Sequence, residues 1–114
     1  MTIIHISKAK DYTVAKTTTQ GLVVVDFSAT WCGPCKKIEP EIKKMAEFYN
    51  EYVTFLHVDV DEPDMIDEED LQDIRGVPTF KFFKNAKLID QMSGADKNKL
   101  KTMIDQHCGV TIRE

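Results

Sequence analysis

The 114-residue sequence has few of the features that define several large classes of protein. It has no apolar run near the ~20 residues that a membrane-spanning helix requires. Its first residues, Met1 to His5, lack the basic and long apolar segments of a secretory leader. We therefore expect a cytoplasmic protein that does not insert into membranes. Repeats, low-complexity tracts and linkers are also missing from the sequence, and this length predicts one folded domain over residues 1–114.

Positive charge and cysteine are both scarce. Fifteen basic and nineteen acidic side chains give a formal net charge of -4, which argues against nucleic acid as the main partner. Three cysteines are too few, and odd in number, for a secreted disulfide scaffold. Two of them stand as Cys32-Gly33-Pro34-Cys35, a spacing that requires a chemical explanation.

The patterns that are present are those of an α/β protein. Residues 22–27 are almost continuously apolar and β-branched, which is typical of a central strand covered on both faces. The predicted strands cover residues 2–6, 22–27, 53–60, 79–83 and 88–92. Four helices are predicted. The first begins after an N-cap at Ser7 and runs towards residues 17–19, and the second covers residues 33–49 with a kink near Pro40. The third covers residues 68–74, and the last begins after an N-cap at Asp96. This order implies a mixed β-sheet flanked by helices on both faces, with strand 53–60 parallel to the central strand.

The Cys-x-x-Cys pair lies where the central strand gives way to a helix. The first thiol then sits at the helix N-terminus, where unpaired N–H groups and the helix dipole stabilise an anion. Cys35, one turn later, can attack a mixed disulfide formed on Cys32 and release the partner. We therefore predict that Cys32 is the nucleophile and Cys35 the resolving thiol. Pro34 stiffens the first helical turn, and Gly33 leaves room for a partner chain.

Two other interpretations of the pair are open. A structural zinc site needs four ligands, and His107 and Cys108 would have to supply the remainder. The pair could also be chemically inert. The placement between strand and helix favours redox chemistry.

Three neighbouring residues each have two interpretations from the sequence alone. Asp26, the polar residue of the central strand, is either a strand-end cap or a buried acid. Pro78 either starts an edge strand or forms a cis peptide bond. Trp31 is either a core residue or part of the rim of a substrate surface.

Several segments, in order and without large gaps, resemble those of the thioredoxin family, and the Trp-Cys-Gly-Pro-Cys motif is specific within the wider fold. The resemblance spans nearly the whole chain. The matching segments are Val25-Asp26-Phe27, Ala29-Thr30-Trp31-Cys32-Gly33-Pro34-Cys35-Lys36, Pro40, Val58-Asp59-Val60-Asp61, Gly76-Val77-Pro78-Thr79 and Ser93-Gly94-Ala95.

The resemblance implies a thioredoxin fold and a protein-disulfide reductase that works through a reversible Cys32–Cys35 disulfide, with no bound cofactor and no metal. It implies recharging by an NADPH-dependent thioredoxin reductase, and substrates that are disulfide-containing proteins such as peroxiredoxins. We expect a monomer that binds neither nucleic acid nor membranes.

The resemblance also assigns roles near the dithiol. Asp26 is implied to accept the proton of Cys35. Val77-Pro78 is implied to be cis and to lie against the dithiol, with its backbone free to pair with an extended substrate. Trp31 and Gly94 complete the substrate surface. A redox-dependent binding module without turnover remains an alternative, whereas Gly33-Pro34 disfavours a disulfide isomerase or oxidase.

Three features depart from the family pattern. Ser28 stands where an aromatic residue is usual, and His57 stands where bacterial members have a lysine near the buried acid. The acidic stretch over residues 62–70 is about two residues longer than in bacterial forms. We expect its carboxylates to emerge at the same sheet end as Cys32 and to influence partner choice.

Overall fold

A computed structural model describes residues 3–109 as a five-stranded mixed sheet with helices on both faces. The strand order is β1-β3-β2-β4-β5, as numbered here along the chain. The strands are β1 Ile4–Ile6, β2 Leu22–Ser28, β3 Val53–Asp59, β4 Thr79–Lys84 and β5 Lys87–Ser93. The helices are α1 Ala9–Thr18, α2 Gly33–Phe48 and α3 Lys97–His107. Residue 2 of the first predicted strand lies outside the described residues.

The strand predicted as central is β2, and all seven of its residues are buried. It pairs in parallel with β3 and antiparallel with β4, while β1 pairs in parallel with β3. The parallel β2–β3 pair is the one expected for strands joined by a helical crossover. The carboxyl ends of β2 and β3 therefore lie at the same edge of the sheet.

Alternate residues of β2 enter two separate cores, as the period of a strand requires. Leu22 and Val24 pack beneath α2 and α3, together with Phe80 and Phe82 of β4. On the opposite face, a second group of apolar side chains packs beneath α1 and the segment after β3. Its members are Ile6, Tyr12, Val23, Val25, Phe27, Leu56, Val58, Met65 and Phe83.

Two local predictions were wrong, and both errors involve contacts between distant segments. Residues 68–74 do not form one helix; the region contains short 3-10 helices at Pro63–Met65 and Glu69–Leu71. The Asp70 carbonyl that an α-helix would use instead accepts a hydrogen bond from Lys81 Nζ at 2.7 Å. Ser7 does not cap α1; the N-cap position is Lys8, and the N–H of Ala9 donates to Asp64 Oδ2 at 2.9 Å.

Other helix signals agree with the structure. Asp96 caps α3, since its Oδ1 accepts a hydrogen bond from the N–H of Lys99 at 3.0 Å. Helix α2 continues through Pro40, and the kink there stays a prediction. Across residues 3–109, no helix is both long and apolar enough to span a membrane.

Candidate active site

The two cysteines lie at the carboxyl end of β2, where the chain enters α2. Cys32 is the N-cap of α2, and Cys35 lies in its first turn. Their sulfurs form a disulfide, and their Cα atoms are 5.3 Å apart. Both residues are nearly buried in this oxidised form, with 4% and 5% exposure, so burial does not distinguish their roles.

The backbone around the pair favours negative charge on Cys32. The N–H of Cys35 donates a hydrogen bond to Cys32 Sγ at 3.1 Å. Because this sulfur occupies the N-cap position, it also faces the positive end of the dipole of α2. Both effects stabilise a thiolate on Cys32 relative to its thiol. Gly33 and Pro34 form the exposed first turn between the two cysteines.

Three of the predicted docking residues meet beside Cys32. The Val77–Pro78 peptide bond is cis, and the carbonyl oxygen of Val77 lies 3.6 Å from Cys32 Sγ. The N–H of Gly94 donates to the carbonyl of Pro78 at 2.8 Å, and Gly94 has a φ of +99° that favours glycine. The backbone of Val77, Pro78 and Gly94 therefore lies next to the Cys32 sulfur.

Trp31 lies on the rim of the site, with 69% of its surface exposed. Its Nε1 donates a hydrogen bond to Asp61 Oδ2 at 2.7 Å. Beside it is a groove of about 300 Å3, here called the Trp31 groove, whose apolar lining consists of Trp31, Val60, Ile66, Leu71, Ile74 and Val77. Sequence reasoning assigned no role to Asp61, although the Val58-Asp59-Val60-Asp61 segment contained it.

Asp26 lies behind the dithiol, on β2, and is 6% exposed. Burial raises the pKa of its carboxyl to about 7, and the Glu39 carboxylate adds to the rise. Its Oδ1 has no hydrogen-bond partner among residues 3–109. A group in this environment exchanges its proton near neutral pH.

A second cavity of about 300 Å3 lies on the Cys35 side of the pair. We call it the Cys35 cavity; its lining includes Ser28, Cys35, Glu39, His57 and Asp59. His57 is the register partner of Asp26 in the parallel β2–β3 ladder. Two of the departures from the family pattern, Ser28 and His57, therefore meet at this cavity.

The residues of the zinc alternative do not come together. His107 Nε2 lies 2.8 Å from Asp90 Oδ2, while Cys32 and Cys35 bond to each other. Within residues 3–109, no group of three or more histidine, cysteine or acidic side chains is arranged to hold a metal ion.

A mixed sheet with a dithiol at a strand-to-helix junction and a cis proline beside it defines a dithiol–disulfide oxidoreductase. The comparisons with known proteins are specific. The thioredoxin family model matches residues 3–106. A thioredoxin of Ictalurus punctatus is 44% identical over 109 residues, which cover 92% of this chain and 98% of that protein.

Solved structures give the same result. A thioredoxin of Malassezia sympodialis has a TM-score of 0.81 at 42% identity, covering 94% of this chain and 91% of that one. A chain from a study of thiol resolution in yeast mitochondrial 1-Cys peroxiredoxin via glutathione/thioredoxin systems has a TM-score of 0.78 at 31% identity. That match covers 91% of this chain and 94% of the other. The present chain belongs to the thioredoxin family.

Membership establishes the chemistry in general terms. Thioredoxins reduce protein disulfides with their own active-site disulfide instead of a bound cofactor, and this chain has that disulfide at Cys32–Cys35. It is a protein-disulfide oxidoreductase whose substrates are disulfide-containing proteins and whose partner is a reductase.

Proposed function

We propose that the chain is a cytoplasmic thioredoxin in which Cys32 attacks the substrate disulfide and Cys35 resolves the mixed disulfide. The observation that carries this assignment is the hydrogen bond from the N–H of Cys35 to Cys32 Sγ, 3.1 Å long, at the N-cap of α2. It favours the thiolate on Cys32, and the thiolate is the nucleophile of thiol–disulfide exchange.

The reaction proceeds in two displacements. The Cys32 thiolate attacks one sulfur of the substrate disulfide, forming a mixed disulfide and releasing the other substrate sulfur as a thiolate. Cys35, deprotonated by Asp26, then attacks Cys32 Sγ; the Cys32–Cys35 bond forms, and the second substrate sulfur leaves with the electron pair. Both substrate thiolates take protons from water, so the substrate gains two electrons and the dithiol becomes a disulfide.

Asp26 is proposed as the proton acceptor because its pKa of about 7 lets it take and return a proton at neutral pH. The docking surface consists of Trp31, Val77, Pro78 and Gly94. The position of the Val77 carbonyl, 3.6 Å from Cys32 Sγ, supports main-chain recognition of an extended substrate. Recognition by backbone atoms lets one site serve many sequences.

The reductase partner is proposed to be an NADPH-dependent thioredoxin reductase, and peroxiredoxins are proposed among the substrates. The likeness to a chain studied with a 1-Cys peroxiredoxin supports the second assignment. A reducing compartment such as the cytoplasm keeps the dithiol able to act. We propose that the protein acts as a monomer, with residues 1–114 working as one domain.

The test is insulin reduction with dithiothreitol as electron donor, in a Cys108→Ser background that removes the third cysteine. We expect repeated turnover for the parent, none for Cys32→Ser, and a stable mixed disulfide with the substrate for Cys35→Ser. Trapping by Cys32→Ser would reverse the two roles. A parent that binds insulin without reducing it would show a redox-dependent binding module instead.

A further inference from the structure

Two rows of side chains under α2 change from apolar to polar as they approach the dithiol. Alternate residues of a strand share one face, and register partners in parallel strands project to the same side. The row on β2 is Leu22, Val24, Asp26 and Ser28, and the row on β3 is Val53, Phe55, His57 and Asp59. Asp26 therefore lies beside His57, and both lie under α2.

The polar ends of these rows meet at the Cys35 cavity. His57 and Cys35 both line it, and Glu39 reaches it from α2. The Asp26 side chain, 6% exposed, has an Oδ1 with no hydrogen-bond partner within the described part of the chain. The cavity has a volume of about 300 Å3 and carries the polar side chains of Glu39, His57 and Asp59, so it has room for water molecules that connect such groups. His57 is thus the residue that is both the register partner of the buried acid and part of the cavity lining.

We propose that His57 relays the proton of Asp26 to and from solvent through the Cys35 cavity, with Glu39 tuning the transfer. The inference rests on the proposed role of Asp26. In each turnover the proton of Cys35 passes to Asp26. His57 then takes that proton and gives it to water in the cavity, which returns Asp26 to the carboxylate. The reverse path supplies a proton to Cys35 when the disulfide is reduced again. His57 acts through Asp26, so it is a positioning residue.

The charges around His57 suit this role. Its neighbours are Asp26 on β2, His5 on β1, Asp59 on its own strand, and Glu39 and Lys36 on α2. Burial and the His5 ring, whose centroid is 5.0 Å away, lower the pKa of His57, while Glu39 and Asp59 oppose the effect. His57 is therefore neutral at pH 7 and free to accept a proton. Asp26, with a pKa of about 7, binds a proton more tightly than His57, so His57 holds the proton only briefly before it passes to water or back to Asp26.

The experiment is a single-turnover measurement on the full chain. The reduced protein is mixed with a peptide disulfide, and release of the final reduced product is followed from pH 5.5 to 8.5. For His57→Gln we expect release at pH 7 to be roughly tenfold slower, as for loss of a group that transfers protons. Added imidazole should restore most of the rate, because the cavity admits a small base near Asp26. A merely structural role would not produce that rescue.

Two further variants sharpen the test. His107→Gln is the matched control, since His107 bonds to Asp90 and does not line the cavity; its rate should stay within about twofold of the parent, without an imidazole response. Glu39→Gln removes a charge that raises the pKa of Asp26. In this variant Asp26 loses its proton at a lower pH, so the rate of product release should begin to rise at a lower pH than in the parent.

The possible failures are distinguishable. If Asp26→Asn slows release but His57→Gln does not, the relay is wrong and the proposed function stands. If Asp26→Asn has no effect, the proposed role of Asp26 fails and the relay fails with it. A slow His57→Gln variant that imidazole does not rescue also overturns the relay. His57→Asn provides a second variant, judged by the same rescue, should His57→Gln fold poorly.

Discussion

The indole nitrogen of Trp31 donates a hydrogen bond to Asp61 Oδ2 at 2.7 Å, and the same side chain lines the Trp31 groove. Asp61 is held in turn, because its N–H donates to Asp59 Oδ1 at 2.8 Å. This pair joins the loop before α2 to the turn after β3. A side chain that is 69% exposed thereby has a defined orientation beside Cys32.

The first prediction concerns this bond. Asp61→Ala frees the indole, so the docking surface loses order while the dithiol is untouched. We expect KM for a protein disulfide to rise roughly fivefold, the equivalent of about 1 kcal/mol for one lost hydrogen bond, with kcat unchanged. Steady-state insulin reduction measures both constants. Glu62→Ala, which removes another carboxylate of the same turn, is the control; equal effects in the two variants would contradict a specific role for the bond.

The second prediction concerns how the ionisation of Asp26 makes the stability of the fold depend on pH. Its folded pKa of about 7 is above its unfolded value, so the folded state holds the proton more tightly. Stability is therefore greatest below the unfolded pKa near 4, falls as pH rises towards 7, and is constant above that. The total loss is of the order of 4 kcal/mol, since each unit of pKa difference corresponds to about 1.4 kcal/mol.

Asp26→Asn should remove this dependence, because an amide does not ionise. Urea unfolding of the oxidised protein at pH 5 and pH 8 measures it. The free energy of unfolding of the parent should fall from pH 5 to pH 8 through the ionisation of Asp26, and that of the variant should lack this fall. The difference, variant minus parent, should therefore rise by a few kcal/mol between the two pH values. An equal difference at both pH values would show that Asp26 is not buried as an ionisable acid. The same variant should release reduced product more slowly.

Much of the fold and site follows from local patterns in the sequence. The run from Leu22 to Phe27 indicates a strand covered on both faces, and β2 is that strand. The crossover rule places β3 parallel to it, which brings Asp61 to the sheet edge that carries Cys32. Asp96 precedes an amphipathic segment and caps α3. Each of these predictions depends on residues close together in sequence or on one rule of connection.

The features that escaped prediction depend on contacts between distant segments. Lys81 stands between phenylalanines in β4 and has the pattern of a solvent-facing residue, yet it is 3% exposed. Its Nζ donates to the Asp70 carbonyl and, at 2.6 Å, to Asp73 Oδ1. The Asp64 carboxylate caps a helix that begins 55 residues earlier. No local periodicity encodes such pairings.

The third prediction concerns the β4–β5 hairpin. Its turn places Asn85 at φ 53° and Ala86 at φ 66°. A residue with a Cβ is strained there, and asparagine tolerates the conformation better than alanine. Ala86→Gly should therefore stabilise the fold by about 1 kcal/mol. Asn85→Gly is the control, with a smaller gain expected. Thermal unfolding of both variants measures these gains. A loss of stability in Ala86→Gly would show that the backbone at Ala86 is not strained.

The acidic stretch after β3 is divided by the structure into two groups of carboxylates. Asp64 accepts the N–H of Ala9, Glu68 accepts the N–H of Asp70, and Asp70 accepts hydrogen bonds from Tyr12 and Lys16. These groups hold the loop in place. Asp67 and Glu69 are exposed, and both lie in the segment that contributes Ile66 and Leu71 to the Trp31 groove.

The fourth prediction is that Asp67 and Glu69 select partners by charge. Their negative field should speed encounter with basic disulfide peptides and slow it with acidic ones. The double variant Asp67→Asn with Glu69→Gln should reduce a basic peptide roughly threefold more slowly at physiological salt and an acidic peptide faster. Both differences should shrink at 0.5 M salt, because screening then acts within a few ångströms, whereas an effect of altered packing would persist.

The matched control for this prediction neutralises Glu47 and Glu51, which are exposed at the far end of α2 and just beyond it. Residue 47 lies fourteen positions after the start of α2, a distance of about 21 Å along the helix axis. That is more than twice the Debye length of about 8 Å at physiological salt, so this variant should reduce both peptides at the parent rate under those conditions. It changes net charge by the same amount as the double variant. The two variants could instead show equal rates with both peptides. Encounter would then be governed by overall charge and not by the position of Asp67 and Glu69 beside the docking surface.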